Sequence, residues 1–196
     1  MKKPNFSNTK LILIAGKRYS GKDTFAILLK DLLIEKGCRV DLVSTAQHLK
    51  TEYCMERNLD LGKFLNDRLY KESYREDFSK YVLEHSEEEN FQIFLNELEN
   101  KLELDFVIIS DVRSKYDLIE LKSRFDCFSI CIKSSDEEKI KRGWLKSKYD
   151  DSHFENQLDK NLFDLVVENN SSILDLKLKI EMIINSFLGK GSIERK

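Results

Sequence analysis

Gly16, Gly21 and Lys22 occur at the spacing G-x-x-x-x-G-K within the stretch GKRYSGKDTF at 16–25. In this pattern the backbone N–H groups of a loop and of the following helix face phosphate groups, and the lysine reaches the β- and γ-phosphates. Lys17 and Arg18 add two cations that a purely structural turn does not need. The stretch therefore predicts a nucleotide phosphate site, and a structural glycine-rich turn is the alternative.

Asp23 follows the lysine at the position where a Ser or Thr hydroxyl is usual. A carboxylate is a hard oxygen ligand that suits Mg²⁺, either directly or through water. It can also accept a hydrogen bond that positions Lys22, or simply be an acid favoured by the dipole of a helix start. The sequence leaves these three interpretations open.

A second polar motif, SDVR at 110–113, follows an apolar run. Asp111 resembles the acid that completes a Mg²⁺ site beside such loops, and Arg113 is a forked donor for phosphate or carboxylate. The alternative is an Asp turn after a strand.

Three further cations are candidates for anion binding. Lys71 and Arg75, in YKESYR, are four residues apart, so we expect them on one face of a helix. Alternatively, the two side chains lie on a solvent-exposed face of the helix and form ion pairs with neighbouring glutamates. Arg142 precedes Gly143 at a predicted helix end, where a lid that closes over a substrate has its hinge.

Apolar runs alternate with stretches of helical periodicity, which predicts an α/β fold with a parallel sheet covered by helices on both faces. Ligands of such sheets bind at the carboxyl edge of the strands, where the loop at 16–22 and SDVR are both expected. The predicted strands are 10–15, 39–44, 105–110, 127–132 and 163–169, and helical patterns cover 22–36, 45–87, 91–103, 117–124, 136–148 and 173–188.

The length of 196 residues predicts one domain. The formal net charge is only -2, so the chain as a whole has no strong positive potential that would attract nucleic acid or an anionic membrane. We expect a core at 10–44 and 102–188, a helical substrate-binding insertion at 45–101 and a lid at 140–157. The cysteines and histidines lack zinc spacing and predict reduced thiols. No run reaches the ~18 apolar residues of a membrane span, and the polar start lacks a secretory signal, so we expect a cytoplasmic protein.

The stretches GKRYSGKD, YKESYR, SDVR, KRGW and LDKNLFDLVVENN occur in an order and spacing similar to those of animal-type phosphomevalonate kinases. The resemblance extends from Leu11 to about Leu188. It implies a three-layer P-loop kinase fold like that of nucleoside monophosphate kinases, with a central parallel sheet of about five strands, a helical substrate cap and a small lid. It also implies a monomer that transfers the γ-phosphoryl group of ATP, with Mg²⁺, to mevalonate 5-phosphate.

The same resemblance implies roles for individual residues. Lys22, Asp23, Arg113 and Arg142 are the expected catalytic residues, with Lys22 and Arg142 neutralising charge in the transition state. Asp23 and Asp111 are the expected metal ligands. ATP is expected to contact Gly16, Lys17, Arg18, Ser20, Gly21, Lys22, Asp23, Thr24 and Asn170, and the substrate to contact Lys71, Arg75, Arg113, Arg142 and Asn169.

The chain departs from the family pattern at three places. Tyr19 occupies a loop position that is usually basic, Ser114 replaces a second arginine after SDVR, and the stretch 80–90 has no arginine. Lys115 and Lys80 are candidate substitutes. The motifs GKDTF, SDVR and ENN also resemble those of phage-type deoxynucleoside monophosphate kinases. Phosphorylation of deoxynucleoside monophosphates is therefore the alternative function. A nucleotide-binding module without catalysis is the second alternative.

Overall fold

The computed structural model describes residues 9–146, 150 and 158–188. Within the predicted lid, 147–149 and 151–157 therefore lie outside the described residues. The chain divides into two compact units, the first formed by Met1–Val43 and Leu102–Lys196 and the second by Ser44–Lys101.

The first unit is built on a five-stranded parallel sheet, as predicted for an α/β fold. Strand β1 pairs in parallel with β3 and β4, and β4 pairs in parallel with β5. The spatial order is β2-β3-β1-β4-β5. The strands are β1 (Lys10–Ala15), β2 (Val40–Ser44), β3 (Phe106–Ser110), β4 (Cys127–Lys133) and β5 (Leu165–Glu168).

Helices follow the strands in both units. The first unit contains α1 (Lys22–Glu35), α7 (Lys115–Arg124), α8 (Asp136–Lys141) and α9 (Ile173–Leu188). The second contains α2 (Gln47–Glu56), α3 (Leu61–Asn66), α4 (Arg68–Ser73), α5 (Arg75–Leu83) and α6 (Glu87–Glu99).

Strand β1 is central and covered on both faces. Ile12 and Ile14 pack with α1 and α9 in one core cluster. Leu11 and Leu13 point to the opposite face, because side chains alternate along a strand, and they are equally buried. This burial explains why β1 is apolar without interruption and why its carboxyl end is a rigid support for the loop that follows.

Helix α8 is shorter than predicted. The pattern at 136–148 predicts one helix, but α8 ends at Lys141. Gly143 has a φ of +85°, and its N–H donates to the carbonyl of Ile140 while that of Trp144 donates to Lys139. These two bonds are the usual termination by a left-handed glycine, which places Arg142 at the helix end.

The second unit has more helix breaks than expected from the two successive helical stretches that the sequence predicts, HLKTEYCMERN and the stretch that begins at Leu61. Asp60 caps α3 by accepting a hydrogen bond from the N–H of Lys63, and Asp67 caps α4 in the same way from Tyr70. A further break at Tyr74 separates α4 from α5. The expectation that Lys71 and Arg75 share one helical face is therefore wrong, because each lies on a different helix.

Aromatic rings fill the core of the second unit. Tyr53 lies 5.5 Å from Phe64, 5.1 Å from Phe78 and 5.3 Å from Tyr81, measured between ring centroids. The short helices of this unit are thus held by side-chain packing and caps.

Across the described ranges, no helix has both the length and the apolar character required to cross a membrane.

Candidate active site

The loop between β1 and α1 is shaped by two glycines. Gly21 is the N-cap of α1 and has a φ of +86°, in the left-handed region that favours glycine. A Cβ on Gly21 would lie 2.3 Å from Nδ2 of Asn169, and one on Gly16 would lie 2.6 Å from the carbonyl oxygen of Ile132. The predicted G-x-x-x-x-G pattern therefore has a steric cause at both ends.

The structure brings Lys22 and SDVR together, as their positions after neighbouring strands predict. Lys22 is 6% exposed, and its Nζ lies 3.5 Å from Oδ1 of Asp111 and 3.7 Å from Oδ2 of Asp23. Nε of Arg113 donates to the same Asp111 oxygen at 2.7 Å. Two cations and two carboxylates thus meet at the carboxyl edge of β1 and β3.

The two carboxylates differ in their surroundings. The side chain of Asp111 is 16% exposed, whereas that of Asp23 is 70% exposed. Asp111 also has a φ of +67°, which is uncommon outside glycine and costs roughly 1–3 kcal/mol. Such strain is found at functional sites because the surrounding structure enforces it. Asp111 is therefore the more rigidly placed of the two acids.

A cavity of about 320 Å³ opens beside the loop, and its wall contains several lysine side chains and an arginine side chain. Burial raises the pKa of the Cys131 thiol, which keeps this part of the wall neutral. Among the described residues, the lining contains no carboxylate side chain. The lining residues are Ala15, Gly16, Lys17, Ser20, Val112, Arg113, Cys131, Ile132, Lys133, Ser134, Lys139, Leu158, Lys160 and Phe163.

The loop has an unsatisfied polar atom at the cavity. Oγ of Ser20 is buried and has no hydrogen-bond partner within the described residues. A buried hydroxyl without a partner is costly unless a ligand satisfies it. This orphaned oxygen, together with the carboxylates of Asp23 and Asp111, fits an ATP phosphate or its Mg²⁺, since Mg²⁺ is bound by one or two carboxylates together with substrate phosphates.

Arg18 is engaged elsewhere in the structure, although the sequence predicts it as an ATP ligand. Its guanidinium is 7% exposed, and its Nη1 lies 3.3 Å from Oδ1 of Asp150. Nε1 of Trp144 donates to that same oxygen at 3.0 Å. The predicted ATP ligand Arg18 is thus in a buried ion pair, whereas Lys17 and Thr24 are exposed.

Arg142 and Asn169 contact the loop backbone instead of extending into open solvent. Arg142 donates from Nη1 to the carbonyls of Tyr19 and Ser20 at 3.2 and 3.1 Å. Asn169 is 6% exposed, and its Nδ2 donates to the carbonyl of Ser20 at 2.9 Å. In this structure both side chains hold the loop, and their predicted contacts with the substrate stay predictions.

Asn170 lies at the neighbouring position, on the exposed side. Its Oδ1 accepts a hydrogen bond from the N–H of Ser135 at 2.7 Å. Asn170 therefore caps the turn that leads into α8, next to the loop.

The two predicted substrate ligands of the second unit have partners within that unit. Arg75 makes a bidentate pair with Glu72, at 2.8 and 2.7 Å. Nζ of Lys71 lies over the ring of Phe64, 5.7 Å from its centroid. The paired state of Arg75 agrees with the alternative that the sequence left open for it.

Four of the cavity residues that were missed from the sequence have charged or hydroxyl-bearing side chains. Lys133 and Ser134 stand at the end of a predicted strand, so the rule that ligands bind at the carboxyl edge was a signal for them. Lys139 and Lys160 lie on a helix and a turn with many other charges and gave no distinguishing signal.

Comparisons with known proteins agree with this geometry. Residues 14–127 match the model of a family described as phosphomevalonate kinase. The chain is 28% identical over 173 residues to the phosphomevalonate kinase of Drosophila melanogaster, covering 84% of this chain and 90% of that protein.

Solved structures share the fold at low identity. The APS kinase of Mycobacterium tuberculosis in complex with AMPPNP and APS aligns with a TM-score of 0.57 and 14% identity, over 91% of this chain and 97% of that chain. A mutant of the same enzyme aligns with a TM-score of 0.50 and 13% identity, over 91% and 99%. The fold is therefore that of the P-loop kinases, which use ATP. Since the family model covers more than half of the chain, this protein belongs to the phosphomevalonate kinase family.

Proposed function

We propose that the chain transfers the γ-phosphoryl group of ATP to the phosphate of mevalonate 5-phosphate, forming mevalonate 5-diphosphate and ADP. The observation that carries this proposal is the buried ammonium of Lys22, held by Asp111 beside a cavity lined by Lys17, Arg113 and further lysines. A cationic cavity next to a phosphate-binding loop suits an acceptor that is itself an anion.

The reaction needs no nucleophile from the protein. An oxygen of the acceptor phosphate forms the new bond to the γ-phosphorus, while the bond to the β–γ bridging oxygen breaks and ADP retains the electron pair. The barrier arises from bringing two anions together in line, so positioning and neutralisation of charge supply the catalysis.

The residues divide this work by their chemistry. Lys22 is the ligand of the β- and γ-phosphates and neutralises charge in the transition state. Arg113 offers a planar fork that matches a phosphate or carboxylate of the acceptor. Lys17, Lys133 and Lys160 raise the positive potential of the cavity.

The proposed metal is Mg²⁺, held by Asp111 and Asp23. When bound there, Mg²⁺ would supply positive charge that neutralises oxygens of the β- and γ-phosphates. Lys71 and Arg75 remain proposed acceptor ligands by family resemblance, and for Arg75 this requires that the anion compete with Glu72.

An acceptor panel tests the proposed substrate. ADP formation should depend on mevalonate 5-phosphate and should be at background with dGMP, dTMP or dCMP in parallel reactions. Turnover with the nucleotides alone would replace the proposed function by deoxynucleoside monophosphate kinase activity. ATP binding without acceptor-dependent ADP formation would indicate a binding module.

We also propose that the protein is a monomer and that it is cytoplasmic. The cytoplasmic location is supported by the four unpaired cysteines, which are typical of a reducing compartment. Light scattering of the purified chain at several concentrations tests the monomer, and the mass of a dimer would contradict it.

A further inference from the structure

Three side chains at the ends of β4, α8 and β5 support the back of the phosphate-binding loop. We name Ser134, Arg142 and Asn169 the loop-support cluster. Arg142 links its members, since Nη1 donates to Oγ of Ser134 at 3.0 Å and Nη2 donates to the carbonyl of Asn169 at 2.7 Å. Oγ of Ser134 in turn lies 2.8 Å from the carbonyl oxygen of Asn169.

The cluster converges on one peptide group of the loop. The carbonyl of Ser20 accepts from Nη1 of Arg142 at 3.1 Å and from Nδ2 of Asn169 at 2.9 Å. A carbonyl oxygen has two lone pairs, so these two donors use its full capacity. The orientation of this carbonyl is therefore fixed from two different elements.

Fixing the carbonyl also fixes the next N–H group. A trans peptide is planar, and its C=O and N–H point in opposite directions. Because the carbonyl of Ser20 points toward the cluster, the N–H of Gly21 points away from it. Gly21 is the N-cap of α1, where N–H groups of a phosphate loop face the ligand.

Arg142 is already committed to this arrangement. Its Nη1 lies 3.0–3.2 Å from the carbonyl oxygens of Tyr19 and Ser20 and Oγ of Ser134, so its two hydrogens are shared among three acceptors, and its Nη2 donates to Asn169 at 2.7 Å. To reach a transferring phosphoryl group Arg142 would have to give up several of these contacts, and the loop would lose its support at the moment when it binds phosphate.

We propose that Ser134, Arg142 and Asn169 are positioning residues that hold the Ser20–Gly21 peptide in the orientation that binds nucleotide phosphates. Arg142 thus acts through the loop rather than on the transferring group. This inference rests on the proposed function only in taking the loop as the nucleotide site, and it does not depend on the acceptor.

The test uses the full chain and ADP as the probe. Asn169→Asp keeps the shape of the side chain but turns an oxygen toward the carbonyl of Ser20, and Arg142→Ala removes the other donor. Each should weaken ADP binding at least 10-fold by calorimetry and leave KM for the acceptor within about 2-fold. In the double variant the losses should not add, because both donors serve the same carbonyl.

A matched control and a second readout separate positioning from general damage. Lys141→Ala changes the adjacent residue, whose side chain is 70% exposed, and should leave ADP affinity unchanged. In ¹⁵N-labelled protein, the Gly21 amide resonance should shift when ADP binds to the wild type, and Asn169→Asp should reduce that shift.

The opposite pattern would overturn the proposal. If Arg142→Ala bound ADP normally but lost activity by 10²-fold or more, Arg142 would act directly on the reacting groups. Normal ADP affinity in Asn169→Asp, with an unchanged Gly21 shift, would exclude the loop-support role of Asn169. The ADP titration decides both points whichever acceptor the enzyme uses.

Discussion

Among single residues, Asp23 is where this loop departs most from the usual hydroxyl-bearing pattern. Its carboxylate lies 3.7 Å from Nζ of Lys22, yet its side chain is largely exposed. An exposed acid next to the phosphate-binding lysine is available to a metal ion that arrives with ATP. Asp111, which is less exposed and lies 3.5 Å from the same nitrogen, has a fixed place by comparison.

Asp23→Ala tests whether this acid holds Mg²⁺. If it does, the Mg²⁺ concentration for half-maximal rate should rise roughly 10-fold, because metal affinity follows the charge of the ligands. Asp31→Ala, at an exposed acid on the same helix, serves as the control. An unchanged Mg²⁺ dependence would leave Asp23 as a helix-start acid or as an acceptor that positions Lys22, and Asp111 would then have to hold the metal.

Lys22→Ala tests the central cation. The expected result is a fall in kcat on the order of 10² or more, because charge stabilisation in the transition state is lost. Circular dichroism should show an intact fold. Lys30→Ala, on the same helix and paired with Asp41 at 3.6 Å, should retain the wild-type kcat. Normal kcat in Lys22→Ala would remove the loop from the mechanism.

Among the elements, the junction of β4 and β5 depends on one carboxylate. Asp164 accepts hydrogen bonds from the N–H and Oγ of Ser129 at 2.8 and 2.7 Å, and from Nζ of Lys122 at 3.2 Å. Burial alone raises the pKa of Asp164, but the bonds from Ser129 and Lys122 outweigh it and hold the pKa below its ordinary value. The carboxylate therefore stabilises the fold in its charged form.

Asp164→Ala should lower the free energy of unfolding at pH 7 by about 1–2 kcal/mol, since Ser129 is fully buried and loses its acceptor. A depressed pKa contributes stability above the unfolded value of about 3.9, and that stability is lost as pH falls through the lower folded pKa. The difference from wild type should therefore narrow below about pH 4 in urea titrations.

Asp126→Ala is the control for this junction. The side chain of Asp126 is 74% exposed and pairs with Lys10 at 3.6 Å, so its loss should change stability by less than about 1 kcal/mol. A difference for Asp164→Ala that stays constant down to pH 3 would mean that packing, and not charge, explains its effect.

An element could be predicted where its bounds are determined by the pattern of adjacent residues. The bounds 10–15 and 173–188 match β1 and α9 because apolar periodicity is a property of adjacent residues. The break at Asp67 was missed because its side-chain cap competes with a helical pattern that continues across it.

In the candidate site, too, some arrangements follow from the sequence pattern and others depend on contacts between distant residues. Lys22 and Asp111 could be placed together because parallel strands bring their carboxyl ends to one edge. The bond from Arg142 to the carbonyl of Ser20 joins residues 122 positions apart. Motif spacing indicates that Arg142 is a functional cation but contains no information on which backbone group it contacts.

For the whole molecule, each of the two units contains a hydrophobic cluster of its own. Phe64 is fully buried in the second unit, in a cluster with Leu49, Tyr53, Cys54 and Tyr81. The sheet of the first unit has its own cluster, formed with α1 and α9. We expect the second unit to open locally without unfolding the sheet.

Phe64→Ala tests this independence. The substitution should destabilise the second unit by about 3–5 kcal/mol through loss of burial and the resulting cavity. Hydrogen exchange should accelerate in 44–101 and stay unchanged in β1, β3 and β4, and ADP affinity should be retained. Leu69→Ala, at a side chain that is 83% exposed, is the control. Faster exchange throughout the sheet would contradict the expected local opening.

The second unit interrupts the chain between β2 and β3, which are neighbours in the sheet. Its two ends therefore join adjacent strands, so the segment 44–101 can change in length or sequence without altering the strand order or the residues around Lys22. Exchanging this segment between related kinases therefore keeps both chain connections to the sheet. We expect such chimaeras to show, from their acceptor preference, whether the segment 44–101 or the first unit determines the acceptor.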